Sequence, residues 1–341
     1  MLILIVSLCT VGLILEVLHN KLYELKYLSV SLIILSTAVF FGTRGNRGSD
    51  SEYYQFFFNQ FDSGMSEYTF EPIYFIIVYL FQLISNYELF QVILVLFLTY
   101  SALKMIKIAS PSIVIIGLLA FVIIENIGLQ RQVLSFSFAM LSFHYIKSKR
   151  IFILLSLLAI GSHYAIVLLY IAYIFHLVSL KYKIIIIACL SVFSVSLAEI
   201  IPFFGYGSIQ EKIMLYLSSN YGFLDSDEAF YQGAILRVSI TALLLISLKK
   251  YNIVNSQYLS ITSMYAFGTV LYLLFGSIIP TLATRGTMIF QLFVFYSLFY
   301  LAKFNRYYII FPLFIIILKI PRLMFALEEY HDHLSIFLDY F

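Results

Sequence analysis

Residues 257–279 read QYLSITSMYAFGTVLYLLFGSII and contain no charged side chain. At about 1.5 Å of rise per residue, a helix of this length crosses the hydrocarbon core of a bilayer, which is about 30 Å thick. Other predominantly apolar stretches occupy residues 2–18, 184–201 and 307–320. Only helices suit such stretches, because a segment in lipid must satisfy its own backbone hydrogen bonds. The repeated pattern predicts an all-α, polytopic integral membrane protein.

Composition excludes a water-soluble fold. The chain has 341 residues, of which 62% are hydrophobic and 11% are charged, and its mean hydropathy is +0.96. Soluble domains carry about a quarter charged residues, so one aqueous core cannot bury this much apolar surface. The formal net charge of +3 is small, and the basic residues are scattered along the chain. Nucleic acid is therefore excluded as a partner.

Positive charges set the predicted topology, because Lys and Arg concentrate on short cytoplasmic loops. Their clusters alternate with the apolar stretches, and this alternation predicts about twelve crossings. Both termini and the polar loops 43–71 and 205–232 are then predicted on the non-cytoplasmic side. No repeat or low-complexity linker divides the sequence, so residues 1–341 are predicted to form a single transmembrane domain. The predicted spans are 2–18, 27–42, 111–127, 131–146, 151–162, 164–178, 184–203, 233–248, 257–279, 285–302 and 307–327, with one further crossing in 73–103.

Two segments leave the number of crossings open. Segment 73–103 has the pattern of two short spans broken at residues 85–88, but the lysines that follow it require one net crossing. Either the segment is tilted, kinked or re-entrant, or the charge rule does not hold at that loop. Segment 151–178 has a break at residues 161–163, which indicates two short helices or one kinked helix. We expect two helices, because basic clusters at both ends require an even number of crossings.

The stretch after the second predicted span reads FGTRGNRGSD at residues 41–50 and places two arginines on a predicted external loop. Glycine lets backbone N–H groups approach an anion closely, and the planar guanidinium group of arginine binds phosphate oxygens in pairs. Arg44 and Arg47 are therefore candidate phosphate ligands, although arginines at such places also extend to lipid headgroups. Asp50 is a candidate base, or it forms an ion pair within the loop.

An aromatic segment and an acidic residue follow this loop. Residues 51–61 read SEYYQFFFNQF and carry aromatic residues at helical spacing, namely Tyr54, Phe57, Phe58 and Phe61. The spacing predicts a helix, which either lies in the outer interface of the membrane or simply packs against other helices. Glu71 precedes Pro72 at the entry to the next span. Because a carboxylate favours a helix N-terminus and proline suits the first turn, we expect Glu71 to cap that helix.

Two more arginines begin predicted spans at their outer ends. Arg131 lies in the sequence QRQ, and Arg285 lies in the sequence ATRG. An arginine at the centre of a span costs about 2.5–3.5 kcal/mol on insertion scales, so an arginine in or near the membrane is a candidate site residue. The simpler interpretation of Arg131 is a salt bridge to Glu125, and Arg285 has a similar alternative.

One histidine lies in an apolar setting, at position 163 of segment 151–178. Imidazole exchanges protons near neutral pH, so His163 is a candidate general base or a hydrogen-bond donor to phosphate. A buried histidine that only makes a hydrogen bond has the same pattern. The sequence predicts no metal ion or other cofactor, because the remaining histidines lack a ligand spacing and no Walker or G-x-S-x-G motif occurs.

These features together resemble the EpsG family of Wzy-like polysaccharide polymerases. The motif R-G-x-x-G-x-D-x-x-x-Y occupies residues 44–54, E-P occupies 71–72, R-Q occupies 131–132, and the lone histidine follows K-S-K-R. A late membrane arginine, Arg285, completes the pattern. The resemblance extends over roughly residues 1–330, and only the first motif is specific. Asn46 and Arg47 depart from the family, in which apolar or small residues are more common at these positions.

The resemblance implies a glycosyltransferase of the bacterial inner membrane that joins oligosaccharide repeat units carried on undecaprenyl pyrophosphate. Its active site would face the periplasm or exterior, and arginines would neutralise the leaving pyrophosphate in place of a metal. Guanidinium groups in a low-dielectric pocket stabilise such developing charge, and the candidates are Arg44, Arg47, Arg131 and Arg285. An acceptor hydroxyl also needs a base. Asp50 and His163 rank ahead of Glu71 and Glu211, and Tyr54 is expected to support the site.

The expected partners are undecaprenyl-pyrophosphate-linked oligosaccharides, membrane lipid, a chain-length regulator and a flippase. The tyrosine-rich loop 205–232 either holds sugars or only connects two spans. Two other classes of function remain alternatives. A lipid-linked oligosaccharide flippase needs charges along a route through both leaflets, whereas the unusual charges here are predicted on one side. An O-antigen ligase or a membrane acyltransferase uses similar arginine and histidine chemistry, and only its products distinguish it from a polymerase.

Overall fold

The computed structural model describes residues 51–59, 71–84, 86–109, 111–118, 130–179, 227–275 and 280–312, with parts of 31–38 and 181–185. All regular secondary structure in these residues is helical, as predicted. The helices are α1 (Ser51–Asn59), α2 (Pro72–Gln82), α3 (Tyr87–Met105), α4 (Pro111–Leu118), α5 (Gln130–His144), α6 (Lys149–Ser162), α7 (Val167–Leu177), α8 (Asp227–Lys250), α9 (Ser256–Phe275) and α10 (Pro280–Leu301), with 3-10 turns at Tyr164–Ile166 and Arg306–Ile309. Of the predicted spans, 2–18 and most of 27–42, 111–127, 184–203 and 307–327 lie outside the described residues.

The chain divides into two compact units. Unit 1 comprises Met1–Ile166 together with Tyr307–Phe341, and it contains α1 to α6. Unit 2 comprises Val167–Arg306, and it contains α7 to α10. The prediction that they form a single transmembrane domain stays a prediction.

Two of the described helices, α3 and α9, are long and apolar enough to cross a membrane. They contain 19 and 20 residues, which corresponds to about 30 Å at the helical rise. α2 and α7 are also apolar but shorter, with 11 residues each. α6 exposes Ile153, Leu154 and Leu157, each more than half accessible. Exposed apolar faces of this kind are typical of helices that contact lipid.

Segment 73–103 consists of two helices, so the predicted break is confirmed, although Tyr87 and Glu88, which were predicted to lie in it, already belong to the second helix. α2 ends at Gln82 and α3 begins at Tyr87. The Asn86 side chain caps α3 by accepting a hydrogen bond from the backbone N–H of Leu89 at 2.7 Å, which satisfies one of the donors that a helix start leaves unpaired. Of these two helices only α3 is long and apolar enough to cross a membrane, which is compatible with the single net crossing predicted for this segment.

Segment 151–178 also consists of two helices, as predicted. α6 ends at Ser162, and His163 follows in an extended conformation with φ −165° and ψ 116°. A 3-10 turn at Tyr164–Ile166 then leads into α7. The backbone N–H of His163 still donates to the carbonyl of Ala159 at 3.1 Å, so the helix ends without losing that hydrogen bond. The break places an ionisable side chain where the backbone leaves the helix.

Small residues let the helices of unit 1 approach closely around this break. α5 packs on both α3 and α6, and α2 packs on α6. Ser135 of α5 is fully buried and donates across to the carbonyl of Ala159 at 2.8 Å. A Cβ atom on Gly161 would lie 2.4 Å from Cγ1 of Ile73. Only glycine fits there, and close contacts through small residues are the usual packing of membrane helices.

Unit 2 is organised around α9, which packs on α7, α8 and α10. A Cβ atom on Gly268 would lie 2.6 Å from Cβ of Phe290, so glycine again permits close approach. Two predicted boundaries were wrong in this unit. The loop 205–232 ends sooner than expected because α8 begins at Asp227, and the span predicted from residue 285 starts at Pro280. Proline provides the reason for the second difference, since its fixed φ suits the first turn of a helix.

Candidate functional site

The Glu71 side chain joins two other elements of unit 1. Glu71 occupies the N-cap position of α2, but its side chain makes no capping hydrogen bond. Instead, Oε2 accepts a hydrogen bond from Nη1 of Arg131 at 2.8 Å, and Oε1 lies 2.9 Å from Nδ1 of His163. The expectation that this carboxylate caps the helix was therefore wrong. The guanidinium of Arg131 on α5 and the imidazole of His163 at the end of α6 bind the carboxylate instead, and hydrogen bonds to an ionised carboxylate are strong.

Arg131 extends from the first turn of α5 and is held by two side chains. Its Nε donates to the hydroxyl of Tyr54 at 2.9 Å, while Nη1 donates to Glu71. The carboxylate is 7% exposed and the guanidinium is 27% exposed, so the ion pair is mostly removed from solvent. Removing one partner of such a buried pair costs about 3–5 kcal/mol because the other charge is left uncompensated. A salt bridge of Arg131 was one expected alternative, but the partner is Glu71, and Glu125 lies outside the described residues.

A layer of neutral polar groups lies behind the ion pair. The hydroxyl of Tyr74 donates to Oε1 of Gln130 at 2.9 Å, and Nε2 of Gln130 donates to the hydroxyl of Tyr87. All three residues are at least 93% buried. Satisfied buried networks of this kind restrict the positions of the groups they contact. Because Gln130 is the neighbour of Arg131 on α5, the network fixes the start of the helix that carries the arginine.

α1 supplies Tyr54 from a packed position. Tyr54, Phe57 and Phe58 are each no more than 3% exposed. The rings of Tyr54 and Tyr74 meet edge to face at a centroid distance of 5.7 Å, a favoured aromatic geometry. The predicted helix is confirmed, and its described aromatic face packs against protein. The fourth aromatic residue of the predicted stripe, Phe61, lies outside the described residues.

The ring of His163 is oriented by the carboxylate of Glu71. Since an ionised carboxylate only accepts hydrogen bonds, Nδ1 carries the hydrogen that faces it. In a neutral ring, Nε2 then holds the lone pair and can accept a proton. The side chain is 21% exposed, so part of the residue is accessible to solvent. A carboxylate behind an imidazole that faces substrate is the arrangement of a general base and its orienting group.

The ionisation of Glu71 limits its role. Burial alone would raise the pKa of this carboxyl, but the hydrogen bond from His163 and the positive charge of Arg131 outweigh it and lower the pKa to about 2. Glu71 therefore stays ionised at neutral pH and is a poor proton acceptor. Its chemistry is to orient His163 and to neutralise Arg131, which is a more specific role than the support predicted from the sequence.

Four of the predicted site residues meet in unit 1: Tyr54, Glu71, Arg131 and His163. Arg44, Arg47, Asp50 and Glu211 lie outside the described residues. Arg285 lies in the second turn of α10, and its side chain is outside the described part. Sequence reasoning missed Gln130, Tyr74 and Tyr87, although the position of Gln130 beside Arg131 was a usable signal. Within the described residues, no three side chains of metal-ligating type cluster.

Comparison with known proteins places the chain in a family. The family model for EpsG matches residues 27–337. The chain belongs to the EpsG family. This family is related to Wzy-like polysaccharide polymerases. No curated protein and no solved structure matches the chain. All four residues that meet in unit 1 lie within the residues matched to the EpsG family.

Proposed function

We propose that this EpsG-family protein is a membrane glycosyltransferase that polymerises oligosaccharide repeat units carried on undecaprenyl pyrophosphate into O-antigen or a capsular or extracellular polysaccharide. One observation carries the proposal. Both oxygens of Glu71 are engaged, one by Arg131 and one by His163, at distances of 2.8 and 2.9 Å. The arrangement places a cation for a leaving anion beside a base for an attacking hydroxyl, which are the two requirements of glycosyl transfer from a pyrophosphate.

His163 is the proposed base. The acceptor sugar hydroxyl gives its proton to Nε2 while its oxygen bonds to the anomeric carbon of the donor. The bond between that carbon and the pyrophosphate oxygen breaks, and undecaprenyl pyrophosphate leaves with the electron pair. Glu71 stabilises the imidazolium that forms, because its charge faces Nδ1–H throughout the step. The proton then passes from His163 to solvent, which restores the neutral ring.

Arg131 supplies positive charge for the departing pyrophosphate. Tyr54 and Glu71 fix the guanidinium before substrate arrives, and preorganised charge stabilises a transition state without further reorganisation. We propose that Arg44, Arg47 and Arg285 complete the pyrophosphate cradle. Asp50 is the alternative base in the same loop as Arg44.

The proposed setting is the inner membrane of a bacterium, with about twelve crossings and the site facing the periplasm or exterior. Loops 43–71 and 205–232 lie on that side, and Glu211 and the tyrosines of the second loop are proposed to contact sugars. Lipid-linked oligosaccharides arrive from a flippase, and a chain-length regulator is a proposed partner. No metal ion or other cofactor takes part in this scheme.

The test is polymerisation by the purified protein in nanodiscs, given a defined lipid-linked repeat unit and followed on gels. A ladder of products is expected. His163→Ala should lower turnover by about 100-fold or more while it changes binding of the lipid-linked donor only slightly, because a general base contributes about 10²–10⁴-fold to a rate. His144→Ala is the matched control, since His144 is an exposed histidine at the end of α5.

Three outcomes would contradict the proposal. Transport of the lipid-linked unit without a new glycosidic bond would indicate a flippase. Transfer of single units to a lipid A core without elongation would indicate a ligase, and acyl transfer would indicate an acyltransferase. Normal turnover by His163→Ala would remove His163 from the catalytic residues and leave Asp50 as the candidate base.

A further inference from the structure

The turn between α8 and α9 has a defined structure at one end of unit 2. α8 ends at Lys250, and the backbone N–H groups of Asn252 and Ile253 donate to carbonyls of its last turn at 3.4 and 3.2 Å. Asn252 has a left-handed conformation, with φ 47°, that asparagine adopts more readily than most residues. Together these features form a Schellman cap. The Asn255 side chain accepts a hydrogen bond from the backbone N–H of Tyr258 at 3.0 Å and caps α9. The two helix ends are therefore held in a fixed arrangement.

Aromatic rings connect this turn to the end of α10. The ring of Tyr251, directly after α8, stacks on the ring of Phe304 at a centroid distance of 5.3 Å. Phe304 also meets the ring of Tyr300, in the last turn of α10, at 5.6 Å. Tyr300 stacks on Tyr258 of α9 at 4.7 Å, and ring pairs at such distances stabilise a contact. The end of α8, the start of α9 and the end of α10 therefore share one aromatic cluster.

Three exposed lysines, Lys249, Lys250 and Lys303, lie at this end of unit 2, and we call them the basic end. The ammonium of Lys250 lies 5.4 Å from the centroid of the Tyr251 ring, and the ammonium of Lys303 lies 5.1 Å from the centroid of the Tyr300 ring. Both distances are within the range of a cation–π contact. Because both rings belong to the same aromatic cluster, lysines from two different helix ends are held on one surface.

Negative charge is missing around the basic end. Residues 229–327 contain no aspartate or glutamate. Among the residues of unit 2 that the structure describes, the only carboxylates are those of Asp227 and Glu228 in the first turn of α8, whereas Lys249 and Lys250 occupy its last turn. A cluster of like charges without counter-charges creates a positive potential. The basic end therefore suits an anionic partner.

An exposed apolar stripe on α8 leads to the basic end. Val238, Ala242 and Ile246 are exposed and recur at every fourth position. Ile246 is 65% exposed, and Lys250 follows it by one turn on the same face of the helix. A soluble acidic protein would match the lysines but would leave the stripe uncovered. A phospholipid matches both features, because its acyl chains cover apolar side chains while its phosphate meets the lysine at their end.

We propose that the basic end of unit 2 binds the headgroups of anionic phospholipids. The lysines contact phosphate oxygens, and the acyl chains lie along the exposed stripe of α8. The charge pattern of the sequence predicts this end on the cytoplasmic side of the membrane. The surface belongs to unit 2 and uses none of the residues of the Glu71, Arg131 and His163 cluster, so the inference does not depend on the proposed function.

The experiment reads lipid contact at the basic end by fluorescence. The chain contains no tryptophan, so Phe304→Trp in the full-length protein provides a single reporter beside the lysines. The protein is reconstituted into phosphatidylcholine vesicles, and phosphatidylglycerol or phosphatidylcholine with brominated acyl chains is added as a quencher. Brominated phosphatidylglycerol should quench the reporter at about a tenfold lower mole fraction, because each lysine near the membrane surface attracts anionic lipid.

Three variants test whether the lysines cause this preference. Lys249→Gln, Lys250→Gln and Lys303→Gln, combined with the reporter, should reduce the preference from about tenfold to about onefold. Arginine at the same three positions keeps the charges and should retain the preference. Leu157→Trp, at a position of α6 that is 62% exposed, is the control reporter and should show no preference. Should Phe304→Trp fail to fold, Val254→Trp replaces it, because this turn position is 88% exposed.

Each outcome supports or overturns the inference. Equal quenching by both lipids at the basic end would overturn it, and so would a preference that persists in the glutamine variant. The same preference at Leu157→Trp would mean that anionic lipid surrounds the whole protein without a site. Loss of the preference on addition of a soluble polyglutamate peptide would indicate an acidic protein as the partner. A preference that is lost with glutamine and kept with arginine would support the site, whether or not the protein makes polymer.

Discussion

Units 1 and 2 differ in where they place polar side chains. In unit 1, Glu71, Arg131 and His163 lie where helices begin or end, and the carboxylate of Glu71 binds the other two side chains. In unit 2, α9 and α10 continue without a break for 20 and 22 residues. Many of the buried polar groups of α9 and α10 are hydroxyls, such as Thr262 and Ser297, which share a hydrogen bond of 3.3 Å.

This difference indicates which parts of an apolar protein can hold a reactive site. A continuous helix satisfies its own backbone, so its side chains serve packing. A helix end within or near the membrane leaves backbone groups and side chains that require polar neighbours. Unit 1 meets that requirement with an ion pair and an imidazole, which also suit catalysis. Predictions that separate the two units follow from this contrast.

Arg131→Ala should have the largest effect. It removes the cation that faces Glu71 and should reduce long-chain polysaccharide by about 100-fold or more, the scale of losing one preorganised electrostatic group. Arg131→Lys should not restore activity, because one ammonium cannot donate to Tyr54 and Glu71 in the geometry of the guanidinium fork. Arg285→Ala is expected to have the same phenotype. The measurement is the chain-length ladder of cells that express each variant, with membrane levels checked by immunoblot.

A normal ladder from both alanine variants would remove the arginines from the site. Arg150→Ala, which removes an exposed charge at the start of α6, serves as the control and should give a wild-type ladder.

The close approach of α2 and α6 offers a second way to test unit 1. Gly161→Ala places a methyl group against Cγ1 of Ile73. Ile73 lies two residues after Glu71, and Gly161 lies two residues before His163. Overpacking of this kind costs about 1–3 kcal/mol, and displacement of the Glu71–His163 contact should lower turnover about tenfold. Adding Ile73→Ala removes the obstructing carbon and should recover most of the lost turnover. If the losses of turnover caused by Gly161→Ala and Ile73→Ala simply add in the double variant, the contact between these two residues does not position the site.

Glu71 provides a test by pH. The pKa of its carboxyl is about 2 in the folded protein and ordinarily 4.5, a difference that corresponds to about 3 kcal/mol of stability. Because the folded pKa is the lower one, this stability is present above pH 4.5 and is lost as the pH falls toward 2. About 2 kcal/mol should already be lost at pH 3. The difference in melting temperature between wild type and Glu71→Gln, measured in detergent, should narrow as the pH falls. A constant difference would contradict the lowered pKa of Glu71.

The sequence predicted single elements well and their contacts poorly. The helix of α1, the break at His163 and the importance of Arg131 follow from local patterns of aromatic, glycine and charged residues. The partner of Arg131 does not, because Glu71 and Tyr54 are 60 and 77 positions away along the chain. Local propensity at Glu71-Pro72 favoured a helix cap, and tertiary contacts with Arg131 and His163 overrode it.

Thr262→Val should have the smallest effect, and it tests whether the buried hydroxyls of unit 2 serve packing. The substitution keeps the shape of a fully buried side chain and removes its hydroxyl, which shares a hydrogen bond of 3.3 Å with Ser297 of α10. Side-chain hydrogen bonds between membrane helices average about 0.6 kcal/mol, so the melting temperature should fall by about 1–2 °C. Turnover should stay at the wild-type level, because packing of α9 on α10 depends mainly on Gly268 and the aromatic residues. If Thr262→Val instead abolished polymer formation at normal stability, the hydroxyls of unit 2 would belong to a site, and the assignment of chemistry to broken helices alone would be wrong.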